Sequence, residues 1–146
     1  MKSLLFLFTA LVLSRLLPLP PNSEPLLGLA VIAPHIAKSL WVWFAPLLVM
    51  LVSDIIIGFH GHMIFTYTAL AIAPFVSRYI SNMYTALGCS WLVWHVLANL
   101  GQTYPPFSVE ALVFDIRLLV SGLLIIITLD FLRKVMYNGK SYEKIG

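Results

Sequence analysis

The stretch from Val109 to Leu132 reads VEALVFDIRLLVSGLLIIITLDFL, and it decides the class of fold. It is close to the length of about 20 residues that an α-helix needs to cross the roughly 30 Å hydrocarbon core of a bilayer. Ser108 precedes it as a candidate N-cap, and Glu110 lies in its first turn, where a negative charge suits the helix dipole. We therefore predict that this segment is a membrane-spanning helix.

The composition of the whole chain is also that of a membrane protein. Of its 146 residues, 60% are hydrophobic and 10% are charged, and the mean hydropathy is +0.94. Ordinary soluble domains have about 45 to 50% apolar and about 25% charged residues. The length leaves room for roughly five or six spanning helices with short connections. We therefore predict a single transmembrane domain over residues 1–146, with residues 137–146 as a cytoplasmic tail.

Five further apolar segments precede the last one. The second of the six, Pro25 to Ala37, is too short for an upright span, and Pro34 interrupts its later turns. The pattern predicts an all-α integral membrane protein, a bundle of six transmembrane helices of which the second is short or re-entrant. The other segments before the last are Leu4–Leu17, Ser39–Ile57, about Met63–Ile80 and about Tyr84–Leu100.

The basic side chains indicate how the chain is oriented. With six spans, seven Lys and Arg residues fall on one side and Arg15 falls on the other, while Arg117 lies inside the last span. By the positive-inside rule the majority side is cytoplasmic, so the C-terminus is in the cytoplasm and the loops at 58–62 and 101–108 are outside. If the second segment is re-entrant, the same two loops are still outside. The seven residues are Lys2, Lys38, Arg78, Arg133, Lys134, Lys140 and Lys144.

Ionisable side chains collect at the predicted outer pole. Asp54 lies near the end of one span, and Asp115 and Arg117 lie about two turns into the last span. An ionised group at the bilayer centre costs roughly 2.5 to 3.5 kcal/mol, so these residues need partners or water. Two interpretations stay open. Either the two acidic residues pair with arginines as a tie between helices, with Arg15 and Arg117 as candidates, or they form the floor of an outward-facing pocket.

The pocket interpretation assigns ligand-binding residues at this pole. His60, His62 and Gln102 belong to its lip. The alternative role for aromatic residues near segment ends is the interfacial aromatic belt of a membrane protein. The alternative role for His95 is a hydrogen-bonded contact between packed helices. The candidate polar contacts are Asp54, His60, Asn99, Asp115 and Arg15, and the candidate aromatic walls are Trp91, Trp94 and Tyr104.

The sequence carries no recognisable catalytic or metal-binding motif. His60 and His62 supply at most two metal ligands, and Cys89 is the single cysteine. No Gly-x-Ser-x-Gly elbow, His-Glu-x-x-His pattern or Walker glycine loop occurs. No basic cluster interleaved with aromatic residues indicates a nucleic-acid partner. We therefore expect membrane lipid as a partner, and no metal, cofactor or enzyme activity. An intramembrane enzyme acting on a lipid or isoprenoid substrate is one alternative hypothesis for the function.

Two motifs carry a resemblance to a known family. They are residues 15–25, RLLPLPPNSEP, and residues 53–60, SDIIIGFH. On these motifs the chain resembles an uncharacterised family of small bacterial integral membrane proteins, over about residues 12–132. The family commonly shows an Arg-x-x-Pro-His-Pro-Pro-Asn pattern, and Leu19 stands here in place of the histidine. The resemblance implies a multi-pass protein of the bacterial plasma or inner membrane, and it implies no particular activity.

The chain is more distantly similar to the S components of energy-coupling factor transporters. Those are six-helix proteins with both termini cytoplasmic and a small-molecule pocket on the outer side. Ala10 and Ser14 give the first predicted helix a small-x-x-x-small face, the face with which S components meet their coupling subunit. This resemblance implies the substrate-binding subunit of a small-molecule uptake transporter, energised by a coupling transmembrane subunit and ATPases. The alternative is a non-transport accessory or structural protein that binds other membrane proteins.

Overall fold

The computed structural model describes residues 11–12, 15–16, 23–100 and 108–143, with side chains as far as residue 135. Within these ranges the chain is all-α with no β-strand, and this part of the fold prediction is confirmed. The predicted first helix, Leu4–Leu17, lies mostly outside the described residues. The helices are α1 (Leu26–Ile36), α2 (Leu40–Trp43), α3 (Ala45–Ile57), α4 (Met63–Tyr79), α5 (Met83–Leu100) and α6 (Val109–Glu143).

Helix α6 is the one described helix that is long and apolar enough to cross a bilayer. Its stretch Val109–Val135 has 27 residues with a mean hydropathy of 2.3, and 22% of its apolar window is buried within the protein. Ser108 Oγ accepts a 3.2 Å hydrogen bond from the backbone N–H of Ala111, so the predicted N-cap is confirmed. The helix continues to Glu143, beyond the predicted end of the apolar segment at Leu132.

Helix α1 lies at the centre of the bundle. It packs against α3, α4, α5 and α6, and Leu27, Val31 and Ile32 are almost completely buried. Its 11 residues extend over about 16 Å, roughly half of a bilayer core. A helix that is apolar on all sides is stable in such a buried position. The segment that is shortest in the sequence therefore forms the core around which the other helices pack.

Helix α1 packs at very short distance along the second half of the apolar stretch Val109–Val135 of α6. A Cβ atom added to Gly28 would lie 2.5 Å from the carbonyl oxygen of Gly122. Ser121 Oγ donates a 3.0 Å hydrogen bond to the carbonyl of Glu24, just before α1 begins. The C-terminal end of α1 shares a groove with residues 129–133 of α6. The N-terminus of α1 therefore lies beside the middle of the apolar stretch of α6.

The predicted segment Ser39–Ile57 is two helices rather than one. Helix α2 ends at Trp43, Phe44 forms a turn, and α3 begins at Ala45. Pro46 lies in the first turn of α3, where its missing N–H costs no helical hydrogen bond. In a continuous helix its ring would clash with the carbonyl four residues earlier. The prediction of one uninterrupted helix is wrong here for that reason.

Helices α4 and α5 lie close to their predicted bounds. Helix α4 begins at Met63 as predicted and ends at Tyr79, one residue early, while α5 begins at Met83 instead of Tyr84. Between α3 and α4, Gly58 has a φ of 110°, a backbone conformation that favours glycine. Gly58 therefore ends α3.

Candidate functional site

Arg15 and Asp54 form a buried ion pair that joins the N-terminal part of the chain to α3. Arg15 Nη2 lies 3.2 Å from Asp54 Oδ1, and the two side chains are 12% and 3% exposed. The hydroxyl of Tyr67, from α4, donates a 2.9 Å hydrogen bond to Asp54 Oδ2, so both carboxylate oxygens have partners. Arg15 Nε also lies 3.8 Å from Glu24 Oε1. This first cluster therefore places two carboxylates around one guanidinium.

Asp115 of α6 is the centre of a second polar cluster, which it forms with α5. His95 Nδ1 lies 2.7 Å from Asp115 Oδ2, and Asn99 Nδ2 donates a 2.7 Å hydrogen bond to the same oxygen. Trp91 Nε1 donates to the backbone carbonyl of Asp115 at 2.6 Å, and its ring stacks on the imidazole of His95. The Asp115 residue is 1% exposed. This second cluster therefore fastens α5 to α6 deep in the bundle.

A cavity of about 200 Å³ adjoins the first cluster. Arg15 and Glu24 of the first cluster line it, together with Trp94 of α5 and Leu118 of α6. Leu118 lies about 14 Å along α6 from its first residue. The first turn of α1 also lines the cavity, so the N-terminus of the central helix faces it. The remaining lining residues are Leu26, Leu27, Met50, His60, Thr66 and Leu70.

Two residues that line this cavity each have a buried N–H group with no hydrogen-bond partner among the described residues. The groups are Trp94 Nε1 and Arg15 Nε, and the Trp94 residue is 7% exposed. Helix α1 begins without a side-chain cap, so its first-turn N–H groups add further donors. An unsatisfied buried donor costs about 1 to 3 kcal/mol, and most buried polar groups in folded proteins are paired. Two residues of the cavity wall, Arg15 and Trp94, therefore carry donors that lack an acceptor in the described part of the chain.

Three of the predicted ligand-binding residues line the cavity. They are Arg15, His60 and Trp94. Asp54 lies behind Arg15, where it is held by the guanidinium and by the Tyr67 hydroxyl. The sequence analysis left open whether an acidic residue pairs with an arginine as a tie between helices, and the structure contains such a pair in Asp54 and Arg15. It also contains the cavity.

Three other predicted residues belong to the second cluster and do not line the cavity: Trp91, Asn99 and Asp115. Tyr104 and Gln102 lie outside the described residues. The polar residues of the predicted outer pole are therefore divided between two internal clusters, and Arg15 and Trp94 are among the polar residues that line the cavity.

Sequence reasoning missed Tyr67 and Glu24 as members of the site. Tyr67 and Asp54 lie at nearly equal distances along the chain from the loop that joins α3 to α4. Since residues equidistant from the turn of a helical hairpin come to the same level, this spacing was a usable signal. Arg117, the other candidate tie, has its guanidinium 5.7 Å from the ring centre of Phe114 instead.

The arrangement offers binding chemistry rather than metal chemistry. Among the residues whose positions the structure gives, no three His, Cys, Asp or Glu side chains converge as metal ligands. The rings of His60 and His62 are 6.3 Å apart between centroids. The potential of this site therefore lies in its hydrogen-bond donors and its charges.

The opposite end of the bundle is held by separate polar contacts. His35 Nε2 lies 2.9 Å from Ser77 Oγ at the end of α1. On α6, Asp130 pairs with Arg133 at 3.0 Å and with Lys134 at 2.7 Å. These contacts lie near the C-terminal ends of α1 and α4 and in the C-terminal half of α6, away from the two polar clusters.

Fold and site together define an all-α protein with a donor-rich cavity at the N-terminus of a short central helix. A family model described as a family of unknown function (DUF6580) matches residues 1–132, and the chain belongs to that family. No curated protein and no solved structure is significantly similar to the chain. The family description assigns no activity, so the function has to be argued from the site itself.

Proposed function

We propose that this chain is a multi-pass integral membrane protein whose central cavity captures a small solute from the outer side of the membrane. Two surfaces support the membrane location. Most of the apolar window of Val109–Val135 is not buried by the rest of the protein, and Ile55, Ile56 and Ile57 at the end of α3 are each more than half exposed. A contiguous apolar surface of this kind is unfavourable in water and favourable against lipid. The proposed topology is the predicted bundle of six transmembrane helices, of which the second is short or re-entrant, with a cytoplasmic C-terminus.

The unpaired indole N–H of Trp94 is the observation that carries solute binding. Lipid tails cannot accept a hydrogen bond, so a buried donor at membrane depth needs an acceptor from protein, water or a solute. Trp94 lines a cavity that is large enough for a small molecule and has the uncapped N-terminus of α1 in its wall. Short helices that end at mid-membrane commonly point their N-termini at bound substrates in transporters. A solute oxygen in the cavity would satisfy these donors.

A separate energised partner is part of the proposal. The sequence has no Walker glycine loop with which to hydrolyse ATP. The similarity in segment order to S components favours a coupling transmembrane subunit with its ATPases. In that arrangement the present chain selects and holds the solute, and the partner drives its release into the cytoplasm.

An accessory protein without a ligand is the second candidate, and the two clusters favour it. Both oxygens of Asp54 have partners within the chain, and Asp115 is tied to His95 and Asn99. Ties of this kind hold helices together and need no solute. The two candidates therefore differ in the role they give to Trp94 and the cavity. The paired carboxylates hold helices together in both.

Native mass spectrometry of the gently purified protein tests the proposal, because it detects retained solutes and co-purifying subunits together. The Trp94→Phe variant removes the unpaired N–H and keeps an aromatic ring in the wall. We expect it to stay folded, since the lost group had no partner, and to lose the retained solute. Trp41→Phe is the matched control because Trp41 is 83% exposed.

Two results would contradict solute capture. One is wild-type protein that retains no solute and is stabilised by none in a metabolite library. The other is a solute that binds Trp94→Phe as tightly as it binds the wild type. Either result would favour the accessory candidate, and co-purifying membrane proteins without any solute would favour it directly.

A further inference from the structure

We infer that the solute of this cavity is a compact organic cation that also carries an oxygen acceptor, of which the amino alcohols are the simplest class. This inference rests on the proposed solute-binding function and adds the chemistry of the ligand. Three features of the cavity wall determine it: the balance of charges, the unpaired donors and the size.

The charges of the first cluster, beside the cavity, leave an excess of one carboxylate. Arg15 is the single guanidinium, and it stands 3.2 Å from Asp54 and 3.8 Å from Glu24. The Asp54 carboxylate is closer to Arg15 and has a second donor in Tyr67, whereas the Glu24 side chain is 27% exposed and its contact with Arg15 is long. A charge at a partly buried site is costly unless it is well paired. Glu24 is therefore the carboxylate that an incoming cation would neutralise.

The unpaired donors of the wall require an acceptor on the same solute. Trp94 Nε1 and Arg15 Nε are buried without partners among the described residues, and the uncapped first turn of α1 lies beside them. A hydroxyl or carbonyl oxygen can accept from these groups. A free anion would also do so, but it would add to the excess of carboxylates around Arg15. A solute with an ammonium group and a neutral oxygen satisfies both requirements.

The size of the cavity restricts the solute to a compact molecule. Its volume of about 200 Å³ is below the roughly 300 to 1,000 Å³ of sites for drug-sized ligands. Trp94 also presents an indole ring, and organic ammonium groups are attracted to the faces of such rings. A short amino alcohol fits this volume with its oxygen and its nitrogen a few bonds apart.

Calorimetric titration of the purified full-length protein with matched probes tests the inference. Ethanolamine, diethanolamine and choline carry a cation and an oxygen. Propylamine carries only the cation, ethylene glycol only neutral oxygens, and glycolate an anion. We expect the tightest amino alcohol to bind roughly tenfold or more tightly than the three comparison compounds, because each of those lacks one charged or polar contact.

A pair of isosteric variants separates a binding role of Glu24 from a structural one. Glu24→Gln should weaken the tightest amino alcohol roughly tenfold and leave ethylene glycol unaffected. Glu110→Gln is the control, because Glu110 is exposed at the start of α6. Melting curves without solute show whether each variant is folded.

The outcomes distinguish this inference from the function on which it rests. Glycolate or ethylene glycol binding as tightly as the amino alcohols would overturn the inference, and so would unchanged amino-alcohol binding in folded Glu24→Gln. If another class of solute binds in a manner that depends on Trp94, the inference is wrong and solute capture stands. If no solute of any class binds, both are wrong.

Discussion

Replacing Gly28 by alanine tests the helix packing that positions the cavity. The new Cβ would lie 2.5 Å from the Gly122 carbonyl oxygen and 2.6 Å from Gly122 Cα, and backbone atoms cannot swing aside. To restore an ordinary contact of 3.4 Å, α1 and α6 would have to separate by about 0.9 Å. Because α1 also contacts α3, α4 and α5, this movement disturbs the whole core.

The magnitude follows from two opposing effects. Overpacking a core costs about 1 to 3 kcal/mol. Alanine gains at most about 0.5 to 1 kcal/mol over glycine in a helix, and less in the first turn, where Gly28 lies. We therefore expect Gly28→Ala to lower the free energy of unfolding by about 1 to 2 kcal/mol. Because the first turn of α1 lines the cavity, solute binding should weaken as well.

Thermal unfolding in detergent, followed by circular dichroism, measures this effect against two control variants. At Gly88 an added Cβ meets nothing within 4 Å, so Gly88→Ala should be neutral or stabilising. At Gly122 the nearest contact is 3.0 Å to Cδ1 of Leu87, a flexible side chain that can move, so Gly122→Ala should be milder than Gly28→Ala. If Gly28→Ala has the same melting temperature as Gly88→Ala, the close approach of α1 to α6 is refuted.

Two further predictions concern polar contacts at the two ends of the bundle. Arg15→Gln or Asp54→Asn alone should each destabilise the protein by roughly 3 kcal/mol or more, because each removes the closest ionic partner of a largely buried charge. The double variant should recover part of that loss in chemical denaturation, and a fully additive double variant would contradict a direct pair. Trp43→Phe should cost about 1 kcal/mol, because Trp43 Nε1 donates a 2.8 Å hydrogen bond to the carbonyl of Ala37. Trp41→Phe should leave the melting temperature unchanged, and equal losses in both variants would argue against that bond.

Apolar runs and breaker residues predicted much of the helical architecture. The runs that end at about Ile80 and Leu100 correspond closely to α4 and α5, and the last run begins at Val109 as α6 does, because these boundaries lie beside glycine, serine, asparagine or proline. The break before Pro46 was missed because the hydrophobic run passes through it without a polar residue. A hydropathy pattern does not register the missing backbone N–H of proline, whereas a continuous helix is interrupted by it.

The site was predictable in composition and not in arrangement. The sequence predicts buried charges at one pole because unpaired charges are costly in lipid. Which of them pair depends on where the helices meet, and that depends on contacts such as Gly28 against Gly122, which no periodicity reveals. The central position of α1 was not predictable for the same reason, since a short apolar segment has the same sequence pattern at the surface of a bundle and in its core. Arg15 and Trp94 were identified, while Glu24 was not, because it lies in a Pro-rich connector.

The indole N–H signals of ¹⁵N-tryptophan-labelled protein test the central claim most directly. The chain has four tryptophans, so the spectrum is simple, and the Trp94 signal is assigned by its loss in Trp94→Phe. We predict that this signal alone moves strongly downfield when a solute that stabilises the protein is added, because its N–H gains an acceptor. A solute that stabilises the protein and leaves the Trp94 signal in place would contradict binding in this cavity.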